Sequence, residues 1–252
     1  NPYNTPEYLE ALDSLPEAER ARYRDGNWEY SNDPNQLIQY SWYKNALTES
    51  IELKNTNGRY KKIFLGVDVA RYGDDLTVLA YMTEEGSFRF EKHKHISVQE
   101  RADIVEQRIK EYSIAPKQIM IDTVGIGAGV YDILRSKGHA VNEFVAGEKA
   151  QSKARFFKFK NKRAEAAWLV REDLENERMV IVHNKELSRE ITQIRYIVDD
   201  KMIQLESKDA MKKRLGNSPD YFDALMMANY AKTYLPSGVI IKAGKRAVTI
   251  DF

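Results

Sequence analysis

Beyond Lys61 the chain falls into apolar blocks whose lengths and periods predict its elements. Ile63–Ala70 and Leu76–Met82 are strand-length runs joined by the turn signal "RYGDD". "EEGS" reverses the chain into a third strand, Phe88–His95, so the opening is an antiparallel meander. The period then lengthens. Ser97 and Glu100 have capping-box spacing, and Ile104, Val105 and Ile109 share one side of a helix running to Tyr112. "KQIMIDT" is a fourth strand, and "GIGAGVYDILRSKG" turns through glycines into a helix closed by Gly138. "AVNEFVAG" is a fifth strand. A helix over Lys162–Glu177, the strand "MVIVH" and a helix near Lys185–Ile194 follow. "RYIVDDKMIQLES" reads as a hairpin turning at Asp199–Lys201, and a last helix spans Ser218–Tyr234 with Pro219 in its first turn.

These elements predict an α/β fold: a mixed central sheet, built from a three-strand antiparallel meander plus parallel strands, with helices on both faces. The fourth strand should lie parallel to the first. Residues 1–57 read as an arm, with helical pieces at Pro6–Leu15 and Pro16–Asp25 and a turn at "SNDPNQ". Residues 58–235 form the body, and 236–252 a tail.

Composition narrows the class. The chain of 252 residues has 42% hydrophobic and 31% charged residues, enough apolar content for a real core. No run reaches the ~18 apolar residues of a membrane span. The start lacks the basic and apolar regions of a signal peptide. It also lacks an initiator Met, which reads as a fragment of a longer protein. There is no cysteine, which excludes disulfides and thiolate metal sites. The net charge of +1 conceals a split: residues 1–55 carry 10 acidic and 5 basic side chains, leaving the remainder at +6.

Asp68 breaks the first apolar run, and an unpaired buried charge costs several kcal/mol. Asp122 ends the fourth strand. If those strands are adjacent and parallel, both carboxylates emerge at one sheet edge, where open α/β sheets place their sites. Asp220 and Asp223, at i and i+3, share a face in the first turn of the last helix. Such a cluster, without histidine or cysteine, suits hard divalent ions such as Mg²⁺ or Mn²⁺. Two ions about 4 Å apart can activate water and stabilise the leaving oxygen in phosphodiester hydrolysis. Plainer readings exist for each member: Asp122 as a turn former, Asp220 as a helix N-terminal charge, Asp68 paired with Arg71. Asp74 and Asp75 read as turn residues, with Asp75 a weak candidate for a supporting role. The combination argues for a metal site.

"FLGVDVARYGDDLTVLAYM", "IMIDTVGIGAGVYDIL", "NKRAEAAW" and "SPDYFDALMMA" together resemble the nuclease domain of tailed-bacteriophage large terminases, and the opening "NPYNTPEYLEALDSLPEAERARYRDGNW" resembles the stretch after the terminase ATPase. The resemblance spans about residues 1–235. It implies an RNase H-like fold close to RuvC-type resolvases, and a metal-dependent endonuclease cutting concatemeric double-stranded DNA. The first acidic ligand falls on Asp68, the second on Asp122 and the third on "DYFDAL". Asp223 fits "DAL", and Asp220 matches the extra carboxylate of resolvase-like members, so both stay open as third ligand. Asp68 with the Asp220/Asp223 turn would hold one ion, and Asp122 bridging with Asp68 the second. The implied partners are an upstream ATPase domain, the terminase small subunit and a portal or procapsid, in the host cytoplasm. No G-x-x-x-x-G-K-[ST] is present, so this chain is not the motor.

"KAQSKARFFKFKNKR" carries seven basic residues and no acidic one. Lys153, Arg155, Lys158, Lys160, Lys162 and Arg163 are candidate phosphate contacts, with Phe156, Phe157 and Phe159 read as packing. Lys208, Lys212, Lys213 and Arg214 precede the third carboxylate and form a second cradle. The hairpin could flank the cleft. His93 and His95 alternate on a strand, more plausibly a solvated face than a metal pair; the tryptophans read as packing. Rival readings are a stand-alone Holliday-junction resolvase, which the acidic set fits equally, an actin-like ATPase, whose second phosphate turn has only "GIGAG" as a candidate, after the wrong strand, and a non-catalytic interaction module.

Overall fold

The computed structural model describes residues 35–69, 76–151, 158–199, 201–216 and 218–234, with isolated positions among the first 34. Most of the expected helical pieces of the arm, the "RYGDD" turn with Arg71, Asp74 and Asp75, Lys153, Arg155, Phe156, Phe157, Trp28 and the tail lie outside the described residues. In chain order the elements are α1 (Tyr40–Asn45), β1 (Leu47–Thr48), β2 (Ile63–Asp68), β3 (Thr77–Thr83), β4 (Ser87–His93), α2 (Val98–Glu111), β5 (Ile119–Asp122), α3 (Gly127–Ser136), β6 (Asn142–Phe144), β7 (Lys158–Phe159), α4 (Lys162–Glu175), β8 (Val180–Val182), α5 (Lys185–Ile191), β9 (Tyr196–Asp199), β10 (Met202–Leu205), α6 (Lys208–Leu215) and α7 (Asp220–Tyr234).

Among the described residues, seven strands form one mixed sheet in the order β1-β8-β4-β3-β2-β5-β6. β2, β3 and β4 are the antiparallel meander, and β5 lies parallel to β2 as expected. β7, β10 and β9 form a separate small sheet that contains the expected hairpin. The capping box at Ser97 forms: Glu100 N–H donates to Ser97 Oγ at 3.2 Å, and Ser97 N–H donates to the Glu100 carboxylate at 2.7 Å. Among the described residues, no helix is long and apolar enough to cross a membrane.

Strand parity sorts the core into two layers. Ile63, Leu65 and Val67 of β2 pack with Ile119 and Ile121 of β5 against α2 and α3. Phe64 and Met120 face the other way, into a larger cluster with α4, α5 and α7. Successive strand side chains alternate faces, so Asp68 follows Phe64, and Asp122 follows Met120, toward α7. Every residue of α7 from Tyr221 to Ala231 is buried. A helix covered on all sides is a core helix rather than an amphipathic surface one. It lies directly on the sheet at Gly66, where an added Cβ would come within 2.1 Å of the Ala224 carbonyl oxygen.

Two parts were not anticipated. Residues 35–57, read within the arm, pack into the same body: Leu37, Ile38 and Tyr43 are fully buried, and β1 extends the sheet beside β8. α6 forms from a stretch read only as a basic cluster, with Ser207 Oγ accepting from Ala210 N–H at 3.1 Å.

Candidate functional site

Asp68 and Asp122 each lie one residue beyond the paired Val67 and Ile121. They therefore sit side by side on neighbouring parallel strands, roughly 4.8 Å apart. Gly127 makes room for this corner: a Cβ there would lie 1.7 Å from the Asp122 carbonyl oxygen. The Asp122 side chain also acts as the turn former, since its Oδ1 accepts from Val124 N–H at 2.9 Å. The turn bond leaves Asp122 Oδ2 facing Lys208. Asp220 and Asp223 enter from the first turn of α7. Asp68, Asp122 and Asp220 line a cleft of about 380 Å³, together with Lys208, Asp209, Lys212 and Ser218. Asp223 lies behind them, 1% exposed, against 5% for Asp68 and 8% for Asp122.

Lys208, the first residue of α6, reaches into this group. Its Nζ is 2.7 Å from Asp223 Oδ2 and 3.4 Å from Asp122 Oδ2. Burial would lower its pKa, but Asp223, Asp68 and Asp122 hold it above the ordinary lysine range. Burial pushes the Asp68 carboxyl well up; Lys208 opposes this, while Asp223, Asp220 and Asp122 add to it. Burial would raise Asp223 as well, yet Lys208 and Arg163 hold it below the usual carboxylate range. The site is thus an acidic pocket that demands positive charge. Among the described residues no three carboxylate or imidazole groups already form a closed metal-coordinating set. The carboxylates instead share the lysine ammonium.

Glu190 of α5 was missed. Its Oε2 accepts from Phe222 N–H at 2.8 Å, satisfying an N-terminal donor of α7. Burial pushes this carboxyl up to about 9, with the Phe222 N–H opposing and Asp220 and Asp223 adding. The available signal was its place between Leu187, Ile191 and Ile194 on an otherwise apolar helix face.

The basic candidates separate. Lys158, Lys160, Lys212 and Lys213 are exposed, and Lys212 borders the cleft. Lys162 and Arg163 do not present a phosphate-binding surface. Both are buried in the first turn of α4, which Asn161 caps. Lys162 pairs with Glu148. Arg214 is half-buried and clamps Glu206 and the Gln193 carbonyl rather than facing the cleft. His93 Nε2 bonds Glu91 Oε1 at 2.7 Å, and His95 lies past the strand end, so they form no pair. Phe159 and Trp168 pack on each other.

No family model matches the chain, and no curated protein matches it by sequence. Solved structures do. The architecture is the RNase H-like fold of large-terminase nuclease domains. It is similar to the nuclease domain of the large terminase subunit gp2 of bacterial virus Sf6, with TM-score 0.63 and 20% identity over 77% of this chain and 98% of that one. A K428A mutant of the Sf6 domain with manganese and beta-thujaplicinol is similar at TM-score 0.63 and 19% identity over 77% and 98% of the two chains. The large terminase nuclease from thermophilic phage G20c with bound magnesium is similar at TM-score 0.56 and 13% identity, over 79% of this chain and 98% of that one.

Proposed function

We propose that this chain is the endonuclease domain of a viral DNA-packaging terminase, hydrolysing phosphodiester bonds of double-stranded DNA with divalent metal ions. The observation that carries the reading is the convergence of Asp68, Asp122 and Asp220 on one cleft, with Asp223 beside them on the helix that packs under the sheet. An all-oxygen donor set fits Mg²⁺ or Mn²⁺. The same group already recruits a cation, the Lys208 ammonium, so its electrostatics favour a metal ion. Asp68 with the Asp220/Asp223 turn would hold one ion, and Asp122 with Asp68 a second. Bound ions supply Lewis acidity at the phosphate and lower the pKa of water.

The protein's own groups do the rest. Burial behind the cleft excludes water from the far side of Asp223. Lys208 and Lys212 stand at the rim, where they can meet phosphate oxygens. Lys158, Lys160 and Lys213 are exposed for backbone contacts elsewhere. In the same reading the chain works in the host cytoplasm beside an ATPase domain, the small subunit and a portal or procapsid. Asp220 in the cleft also suits a junction resolvase, and a preference for four-way junctions over linear duplex would favour that reading.

Plasmid nicking tests the proposal. The wild-type chain should convert supercoiled DNA to open and linear forms with Mn²⁺ or Mg²⁺ and not with EDTA. Asp68→Asn should abolish this. Equal cleavage by both chains would discard the site.

A further inference from the structure

Arg163 sits where neither a surface cation nor a plain salt bridge would be expected. Its side chain is 7% exposed, and its Nη1 donates to the Glu206 carbonyl oxygen at 3.0 Å. Its Nη2 lies 3.5 Å from Asp223 Oδ1, close enough for ion pairing. Neither Arg163 Nη2 nor Asp223 Oδ1 has a hydrogen-bond partner, although both are buried. The backbone around Arg163 is fixed. Its own N–H donates to the Ala146 carbonyl oxygen at 3.1 Å, and Lys162 N–H donates to that of Glu148 at 2.7 Å. Asn161 Oδ1 caps the helix by accepting from Ala164 N–H at 2.9 Å.

The two oxygens of Asp223 therefore face different cations. Oδ2 meets Lys208, whose side chain is 40% exposed. Oδ1 faces Arg163, whose side chain is buried. A lysine stem is a flexible point charge, whereas a guanidinium anchored at one nitrogen holds its plane. We propose that Arg163 is a positioning residue. It fixes the Oδ1 side of Asp223 and keeps Oδ2 turned to the cleft, where a metal ion can take the place of the Lys208 ammonium. This inference rests on the metal-site reading above.

Mn²⁺ affinity, measured by calorimetric titration of the whole chain, tests it without any nuclease assay. Residues that orient a metal ligand typically contribute about 10–100-fold to affinity, so Arg163→Gln should weaken Mn²⁺ binding at least ~10-fold. Arg163→Lys keeps the charge without the fork and should fall between. In an Asp223→Asn background, Arg163→Gln should add no further loss, because its effect passes through Asp223. Circular dichroism melting in EDTA checks that each variant folds. If Arg163→Gln does not fold, Arg163→Lys and its cycle with Asp223→Asn carry the test. Wild-type affinity in a folded Arg163 variant, or equal losses in both backgrounds, would overturn the inference. A wild-type chain that binds no Mn²⁺ would instead sink the metal-site reading, and this inference with it.

Discussion

Gly66→Ala probes the contact that brings α7 to the site. The added methyl would sit 2.1 Å from the Ala224 carbonyl oxygen and 2.6 Å from Ala228 N. Ordinary contacts are about 3.5–4.0 Å, so helix and sheet must separate by about 1 Å or more. Overpacking a core costs about 1–3 kcal/mol. Here the obstacle is main chain at the centre of the larger core, which cannot rotate aside, so ~3 kcal/mol is the working value. In a body of this size each kcal/mol moves the melting temperature by about 2–4 °C, which gives a fall of roughly 6–12 °C. The displaced helix carries Asp220 and Asp223, and a misplacement of ~1 Å can cost about 100-fold in rate. Activity should therefore fall further than stability does. The assays are thermal melting in EDTA and metal-dependent nicking well below the mutant's melting temperature. A variant that melts within ~2 °C of wild type would refute the close approach of α7 at this glycine.

Two further outcomes follow from the site's charges. Glu190 keeps its proton in the folded chain up to about 9, whereas in the unfolded chain it ionises near about 4.3, so it lowers stability as pH rises through that window. Glu190→Gln keeps an acceptor for Phe222 N–H and cannot ionise; its urea midpoint in EDTA should decline less than wild type's between about pH 5 and 8, and parallel declines would contradict a neutral Glu190. Lys208→Ala removes the cation shared by Asp122 and Asp223, and should cost the metal-free chain about 1–2 kcal/mol, discounted for the lysine's exposure. Mn²⁺ should restore that loss, so its stabilising shift in melting temperature should exceed the wild-type shift; equal shifts would make Lys208 a bystander.

The site acids were legible because Asp68 violates its surroundings: a carboxylate in an apolar strand has to be explained by something. The meander and the parallel fourth strand were legible from period-2 runs and short turns. What stayed hidden was decided by packing at a distance. α6 is charged at most positions, with Met211 as its buried side chain, so no apolar stripe announced it. Residues 35–48 became part of the body because Leu37 and Ile38 join the larger core and Leu37 N–H donates to the Ile194 carbonyl oxygen, contacts that local sequence cannot display. The basic run ending at Arg163 looked like one surface, but its last two members open α4 and are buried there. Glu190 was obscured for the opposite reason: its helix is short, and its partner is a backbone amide more than 30 residues away.

The position of α7 in the chain has a temporal consequence. It is the last described element, yet it fills the middle of the molecule and brings two of the four carboxylates. A ribosome making this chain releases β2 and β5, with Asp68 and Asp122, long before α7 exists to lie across them. Until that helix docks, the larger core is open and the acidic pair has neither Asp223 nor a settled Lys208. On the proposed nuclease reading, the acidic group would be complete only once that helix docks, so an unfinished copy of the chain would lack Asp220 and Asp223.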